Sequence, residues 1–490
     1  MKYVLTSAQA REIDRIMIEK IHIPGILLME QAAAAVADAV EELCSKSCRV
    51  LCICGNGNNG GDGWAAARIL KLRGHETAIA ATSKKLPPDA EANMKVFIGH
   101  SETTWLDSAN ASEFFSGASE RFDVIVDALF GIGLSREPEG LYSDIIGMIN
   151  ESGLPVVSVD IPSGVFCDSG ACTVGVNADV TVTFQYAKPA HYLFPGREHT
   201  GRLVIAPIGF VREEPVPAGL CFVDHFSLPP RRSNTNKGTY GRLSVIAGSK
   251  GMSGAAVMCA KAAVASGAGL TTVHTCGYTA DVVQHSVFEA MAVTVGSCFE
   301  RIKDMDLSEL IKNSSALIAG PGLGQHDDLH QLISAICILD IPKVIDADAL
   351  NMAATVPGIV FGKNTVLTPH PMEFSRISGF SIIQILAEPV KTAASYAKKH
   401  GVVVLLKGAT TVVSDGSISY LVTAGAPSMA KGGSGDVLSG ITGALLAQGL
   451  PAIEAAYGAA YIAGKAGEAA AAEKGSCAPT PMDTISHIMP

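Results

Sequence analysis

The chain has 490 residues, 48% of them hydrophobic and 17% charged, with 50 Gly and a formal net charge of -10. That composition excludes a disordered chain, and its mildly acidic balance lacks the basic footprint of a nucleic-acid binder. At ~150 residues per domain the length calls for two to four domains, long enough to bury more than one core without disulfides or metal. Abundant Gly and Ala without a fixed repeat suit an α/β enzyme, in which small residues lie where helices meet sheets.

In chain order, MKYVLTSAQAREIDR is charged and helical in pattern, unlike a secretory leader. RVLCICG reads as a buried strand, with Cys52 and Cys54 as small core hydrophobes. None of the 12 Cys falls in a paired CxxC spacing, so no zinc site is expected. The helical GWAAARILKLRG follows, and HETAIAAT, FDVIVDALFG, PVVSVDIPSG and DVTVTFQ supply further strands. Repeated βα units predict a parallel sheet covered on both faces. The Pro-rich, polar segment VREEPVPAGLCFVDHFSLPPRRSNTNKG then reads as a linker over 211–235. A second βα series begins with GRLSVIAGS and runs through GLTTVHT, SALIAGPGLG, PKVIDADALN, TVLTPHPMEF and VVVLLKGATTVV into Ala- and Gly-rich helical sequence. The expected architecture is α/β with two domains, 1–210 and 236–490. VLSGITGALLAQGLPAI is broken by Gly, Gln and Pro, so no membrane span is expected. A cytoplasmic enzyme acting on small molecules, without nucleic-acid or membrane partners, is the expectation, and it is expected to form a homo-oligomer.

CGNGNNGGDGW joins the first strong strand to a helix. Its glycines allow close backbone approach, and its amides with the following helix N-terminus can hold an anion such as a pyrophosphate. It matches neither the GxGxxG nor the P-loop pattern. Taken alone, Asp62 reads as a helix cap, which leaves the pair of asparagines unexplained. VDALFGIGLSRE and VSVDIPSGV also fall at strand ends, where a doubly wound sheet binds ligands. There Asn59, Asp127 and Ser163 offer oxygens suited to a hard cation, and Asp160 a carboxylate for substrate hydroxyls or proton transfer.

In the distal half, KGGSGDVLSG puts Gly432, Gly433 and Gly435 at a helix start beside Asp436. Amides there can receive phosphoryl charge, and a carboxylate can take a proton from an attacking hydroxyl. The LKGATT turn suits nucleotide phosphates, although KGATT alone reads as a hairpin turn. Gly254 and Ala255 are small enough to let a flat ring approach, and His370 can hydrogen-bond a hydroxyl or phosphate.

NNGGDG, DALFGIG, DIPSG and FQYAKPAHYLFPG over about residues 1–210 resemble the YjeF N-terminal, or NAD(P)H-hydrate epimerase, family. The resemblance implies a Rossmann-like doubly wound sheet and a potassium ion held by Asn59, Asp127 and Ser163. It also implies contacts to a hydrated nicotinamide nucleotide from Asn58, Asn59, Gly60, Gly61, Asp62, Gly131, Ile132, Gly133, Leu134, Ser135, Arg136, Glu137 and Asp160, with Asp160 catalytic. Where that family usually reads KPG, this chain has Lys188, Pro189 and Ala190. Residues 236–490 resemble the NAD(P)H-hydrate dehydratase branch of the ribokinase-like superfamily. Here the implied substrate contacts are Ala255, Gly322, His370 and Asp436, with Asp436 as catalytic base. The implied adenine-nucleotide contacts are Lys407, Gly408, Ala409, Thr410, Thr411 and Gly435, and the implied cofactors are ADP and Mg2+. Together the resemblances imply epimerisation of R and S hydrates of NADH and NADPH and ADP-dependent dehydration of the S form. Two rivals are a small-molecule kinase, against which GSGD in place of GAGD counts, and a non-catalytic binding module.

Overall fold

The computed structural model describes residues 1–44, 47–209, 219–296, 300–302 and 305–489. They divide into two compact units, Tyr3–Ala218 and Gly219–Pro490, the latter joined by Met1–Lys2. Residues 211–218 of the expected linker lie outside the described residues. Leu220–Phe222, also within it, is a strand of the C-terminal sheet instead.

In the N-terminal unit the strands are β1 (Arg49–Cys54), β2 (Glu76–Ala81), β3 (Glu102–Trp105), β4 (Val124–Ala128), β5 (Val156–Val159), β6 (Val180–Phe184) and β7 (Arg202–Ala206). They form one parallel sheet in the order β3-β2-β1-β4-β5-β6-β7. Alternation splits β1 between two cores. Val50, Cys52 and Cys54 join one cluster, while Leu51 and Ile53 join the other. Helices α1 (Ser7–Glu19), α2 (Gly25–Leu43) and α3 (Asn58–Leu72) follow from local signals. Thr6 and Gln9 form a reciprocal capping box at α1, and α2 buries Ala32, Ala33, Val36, Ala37 and Val40. Strand order reverses between β1 and β4, which opens a crevice at their carboxyl ends.

The C-terminal unit contains β8 (Leu220–Phe222), β9 (Arg242–Ile246), β10 (Leu270–Thr275), β11 (Met291–Thr294), β12 (Ala316–Ala319), β13 (Lys343–Ile345), β14 (Thr365–Leu367), β15 (Val403–Leu406), β16 (Thr411–Ser414) and β17 (Ser419–Val422). From β8 their order is β8-β17-β16-β15-β14-β13-β12-β9-β10-β11. The run from β15 to β11 is parallel, whereas β15-β16-β17 is antiparallel. LKGATT is therefore a hairpin turn, with Leu406 opposite Val412. Helices α4 (Ser253–Ala265), α5 (Ala347–Ala353), α6 (Pro371–Ser378), α7 (Ser434–Ala447) and α8 (Ala452–Lys474) flank the sheet's sites and core. Small residues set the packing distance: a Cβ on Gly440 of α7 would lie 2.3 Å from the Cys259 carbonyl oxygen of α4. No described helix is long and apolar enough to cross a membrane.

Candidate functional sites

In the N-terminal unit, the sheet's reversal point carries a cavity of about 850 Å³. Asn58, Asn59 and Asp62 of α3 line it, as do Gly131 to Glu137 after β4 and Asp160 after β5. Gly60 and Gly61 do not line it. A Cβ on Gly60 would lie 2.1 Å from the Gly55 carbonyl oxygen, and one on Gly61 2.6 Å from Ala90 Cβ, so these glycines let α3 start close against its surroundings. Gly57 is the N-cap of α3 and takes no side-chain cap, so Asp62 faces the cavity from inside the helix.

Asp160 has the left-handed φ of 65°. Its Oδ1 accepts from Lys188 Nζ at 2.7 Å and Thr183 Oγ1 at 2.9 Å. Its Oδ2 points past Gly131, where a Cβ would lie 3.2 Å away. Burial opposes ionisation here, but the Lys188 ammonium overrides it and holds the carboxyl below the usual range. His191 Nδ1 accepts from the Lys188 amide at 3.0 Å, which leaves Nε2 to donate to the Asp160 carbonyl oxygen at 2.9 Å. Burial, reinforced by Lys188, pushes this imidazole down to about 4, so it is neutral. Asp62 is half-buried and pushed well up by desolvation, then by Asp160 and Asp14.

Beneath the cavity, Asp127 is fully buried. Its donors are all neutral: Ser163 Oγ at 2.6 Å, Ser163 N and Ser158 Oγ at 2.9 Å, and Leu129 N at 3.3 Å. Burial pushes its carboxyl up against those bonds. Asn59 buries its amide nitrogen without a hydrogen-bond partner. Its Oδ1 lies beside Gly131, 2.7 Å from where a Cβ would stand.

In the C-terminal unit, the acid in the first turn of α7 is Asp436. Desolvation first, then Asp346 and Asp348, push it up to about 7 against the pull of Lys407. Asp346 ends β13 and is fully enclosed; it accepts from Lys407 Nζ at 3.1 Å and from Ser439 Oγ of α7 at 2.7 Å. Ala347 just after it has a left-handed φ of 49°. Lys407 Nζ also lies 3.7 Å from Glu373 Oε2, and a Cβ on Gly435 would lie 3.3 Å from it. Burial disfavours the ammonium, yet Asp346 and Glu373 hold its pKa above the ordinary value. His370 is the N-cap of α6, its Nδ1 accepting from the Met372 and Glu373 amides. Glu373 accepts from the His370 amide in return, closing a capping box.

Gly322 has a φ of 61°, and a Cβ there would lie 2.9 Å from Ala255 Cβ. Met258, on α4 with Ala255, lies against Gly433 at the start of α7. Lys407, Gly435, His370 and Asp436 are thus joined through one network, with Gly322, in the loop after β12, beside Ala255 of α4. Gly408 and Ala409 are exposed on the hairpin, Thr410 is buried and Thr411 opens β16.

Several groups of the two sites were given no role by the sequence: Lys188, named only in the departure from KPG, Asp14 of α1, Asp346 and Glu373. DADALN and TPHPMEF contained two of them, but only strand ends meeting in space show what they hold. Asp14 had one local signal, its helical spacing from Ala10 and Ile18, which line the same wall.

Residues 25–190 match the model of the YjeF-related protein N-terminus, and residues 243–490 match that of NAD(P)H-hydrate dehydratase. The bifunctional NAD(P)H-hydrate repair enzyme of Moorella thermoacetica is 34% identical over 99% of this chain and 96% of its own length. That of Thermofilum pendens is 35% identical, over 98% and 94%. That of Coxiella burnetii is 33% identical, over 100% and 99%. Similar from end to end to these enzymes, with a doubly wound unit that matches the YjeF-related N-terminus followed by an α/β unit that matches NAD(P)H-hydrate dehydratase, the chain belongs to the family of bifunctional NAD(P)H-hydrate repair enzymes.

Proposed function

We propose that this chain repairs hydrated NADH and NADPH, its N-terminal unit interconverting the R and S hydrates and its C-terminal unit dehydrating the S form at the expense of ADP. The supporting observation is the pairing of two acids in contrasting settings: Asp160 held ionised by Lys188 in one unit, and Asp436 poised near neutrality at a helix N-terminus in the other. The hydrate carries a hydroxyl on C6. Asp436 takes the proton of that hydroxyl as its oxygen attacks the β-phosphorus of ADP, and AMP leaves. Loss of phosphate from C6 with a proton from C5 then restores the dihydropyridine. Gly435 and the start of α7 give the transferring phosphoryl group backbone donors, and Lys407 adds positive charge beneath it. Gly322 lets its loop pack against the small Ala255 of α4 on the ring's side of the site, and the exposed His370, whose Nε2 lies 3.5 Å from Glu373 Oε1, turns toward the substrate.

Magnesium would arrive on the phosphates of ADP, where it neutralises charge; this suits a site without a cluster of three or more metal-ligating side chains among the described residues. Potassium suits Asn59, Asp127 and Ser163, an oxygen set with a buried carboxylate whose hydrogen-bond donors are all neutral. Its charge would fix the loop Gly131 to Glu137 above it. The described cysteines are all free, in keeping with a cytoplasmic setting.

Incubating mixed hydrates with ADP and magnesium tests the reading. Dihydropyridine absorbance should return to the full amount of both epimers, with phosphate set free. A stable phosphorylated product would instead make the C-terminal unit a kinase.

A further inference from the structure

One wall of the epimerase cavity is built by α1, and its role is unassigned. Ala10, Asp14 and Ile18 repeat at helical spacing along that wall, where the cavity narrows against Asp62, Asp160 and Lys188. Arg11, one turn before Asp14, donates from Nη2 to the Ile132 carbonyl oxygen at 3.1 Å and so ties α1 to the Gly131–Glu137 loop. The helix start is anchored as well, since the Ser7 amide and hydroxyl both donate to Asp168, at 2.6 and 2.9 Å. Ile13 and Met17 anchor the helix in a small core with Leu5 and Leu28. Asp14 is therefore fixed on a wall of the pocket rather than on a mobile edge.

Its chemistry is uncommitted. Among the described residues nothing hydrogen-bonds its carboxyl, whereas Asp160 spends Oδ1 on Lys188 and Thr183. Asp14 is open to solvent through the cavity. The surrounding protein still removes enough water to raise its pKa to about 6, with Asp160 adding to the rise and Lys188 opposing it. Two carboxyls in one pocket thus have their proton affinities pushed in opposite directions, Asp160 below the ordinary carboxyl value and Asp14 above it.

We propose that Asp14 is the second proton-transfer residue of the epimerase cavity, the acid that works opposite the Asp160 base. This rests on the epimerase reading of the N-terminal unit. A hydroxyl on C6 beside ring nitrogen N1 is a hemiaminal, and inverting C6 requires breaking a bond to it. The Asp160 carboxylate takes the hydroxyl proton, the oxygen's electron pair forms C6=O, and the C6–N1 bond breaks with its electrons on nitrogen. Asp14 gives its proton to N1. Rotation presents the other face of the aldehyde, N1 attacks it, Asp14 recovers its proton from nitrogen, and Asp160 returns one to oxygen. No proton, electron or co-reactant is consumed.

The test uses the full chain with pure R hydrate, following its conversion to S by chromatography, and with pure S hydrate plus ADP as control. Asp14→Asn should lower kcat for interconversion ~100- to 10,000-fold with little change in KM, while dehydration of S hydrate proceeds at the normal rate. In the unmodified enzyme kcat/KM should fall as pH rises through about 6, where Asp14 loses its proton among Lys188, Asp160, Asp62, Asp89, Tyr186 and Arg11. Asp14→Asn should lack that limb, and Asp14→Glu should retain it even if the Asn variant melts early. Normal kcat in Asp14→Asn, a loss in KM alone, or loss of the limb in a folded Asp14→Glu overturns the proposal. Absence of interconversion by the unmodified enzyme overturns the epimerase reading itself.

Discussion

Asp436 has a proton affinity matched to its task. Because its pKa is raised to about 7, dehydratase kcat/KM should climb with pH through that value as the carboxylate forms. Asp436→Asn should cost ~100- to 10,000-fold in dehydration and leave epimerisation unchanged; near-normal turnover would place the base elsewhere. His191 makes a stability prediction of opposite origin. Its imidazole is neutral in the folded chain down to about 4, but protonates near 6.5 when unfolded. Between those values the unfolded chain binds the extra proton, so stability falls as pH falls, by about 2 kcal/mol between about pH 7 and pH 5. Both Trp residues, Trp64 and Trp105, lie in the N-terminal unit, so fluorescence-detected urea unfolding reads it directly. The His191→Asn variant should show a shallower pH dependence; an identical slope would remove His191 as the cause.

At the level of elements, the two helix starts do different work with the same residue type. Gly60 is enclosed by backbone, whereas Gly435 faces only the end of the Lys407 side chain. Gly435→Ala should thus keep or slightly raise helix stability while crowding Lys407 and the phosphate path, weakening ADP about tenfold. Calorimetry and a thermal melt separate the two effects, and unchanged ADP affinity would sink the assignment. The same contrast explains what could be read in advance. Continuous apolar runs such as RVLCIC announce buried parallel strands, and Gly-rich stretches after them announce a rim of loops. Short strands went unseen: Glu102–Trp105 is mostly polar, Met291–Thr294 and Leu220–Phe222 are only four and three residues long, and their place in a sheet depends on neighbours distant in sequence. Among site residues, acids inside Gly-rich motifs stood out, but their partners did not. Lys188 and Asp346 matter through contacts 28 and 61 residues away, to Asp160 and Lys407, and no local pattern encodes such contacts.

For the whole molecule, two units with separate cores imply that each reaction survives loss of the other. Asp160→Ala should halt interconversion yet leave ADP-dependent repair of pure S hydrate intact, so a mixture is consumed to the S fraction and then drifts only at the spontaneous rate. Repair of both epimers at the normal rate would show that the N-terminal unit is not the epimerase. Each unit also ends a site strand in left-handed backbone at a non-glycine residue, Asp160 in one and Ala347 in the other. Such a conformation costs about 1 kcal/mol that glycine would not incur. Thermal tolerance and turnover are therefore set against each other at these positions. Ala347→Gly should raise the melting temperature of the C-terminal unit by a few degrees while loosening Asp346 and slowing dehydration, and a variant that gains neither heat resistance nor sluggishness would refute the link. Selection for heat resistance alone would erode the sites first where the backbone is most contorted, and long-lived, weakly active forms of this enzyme are the expected product.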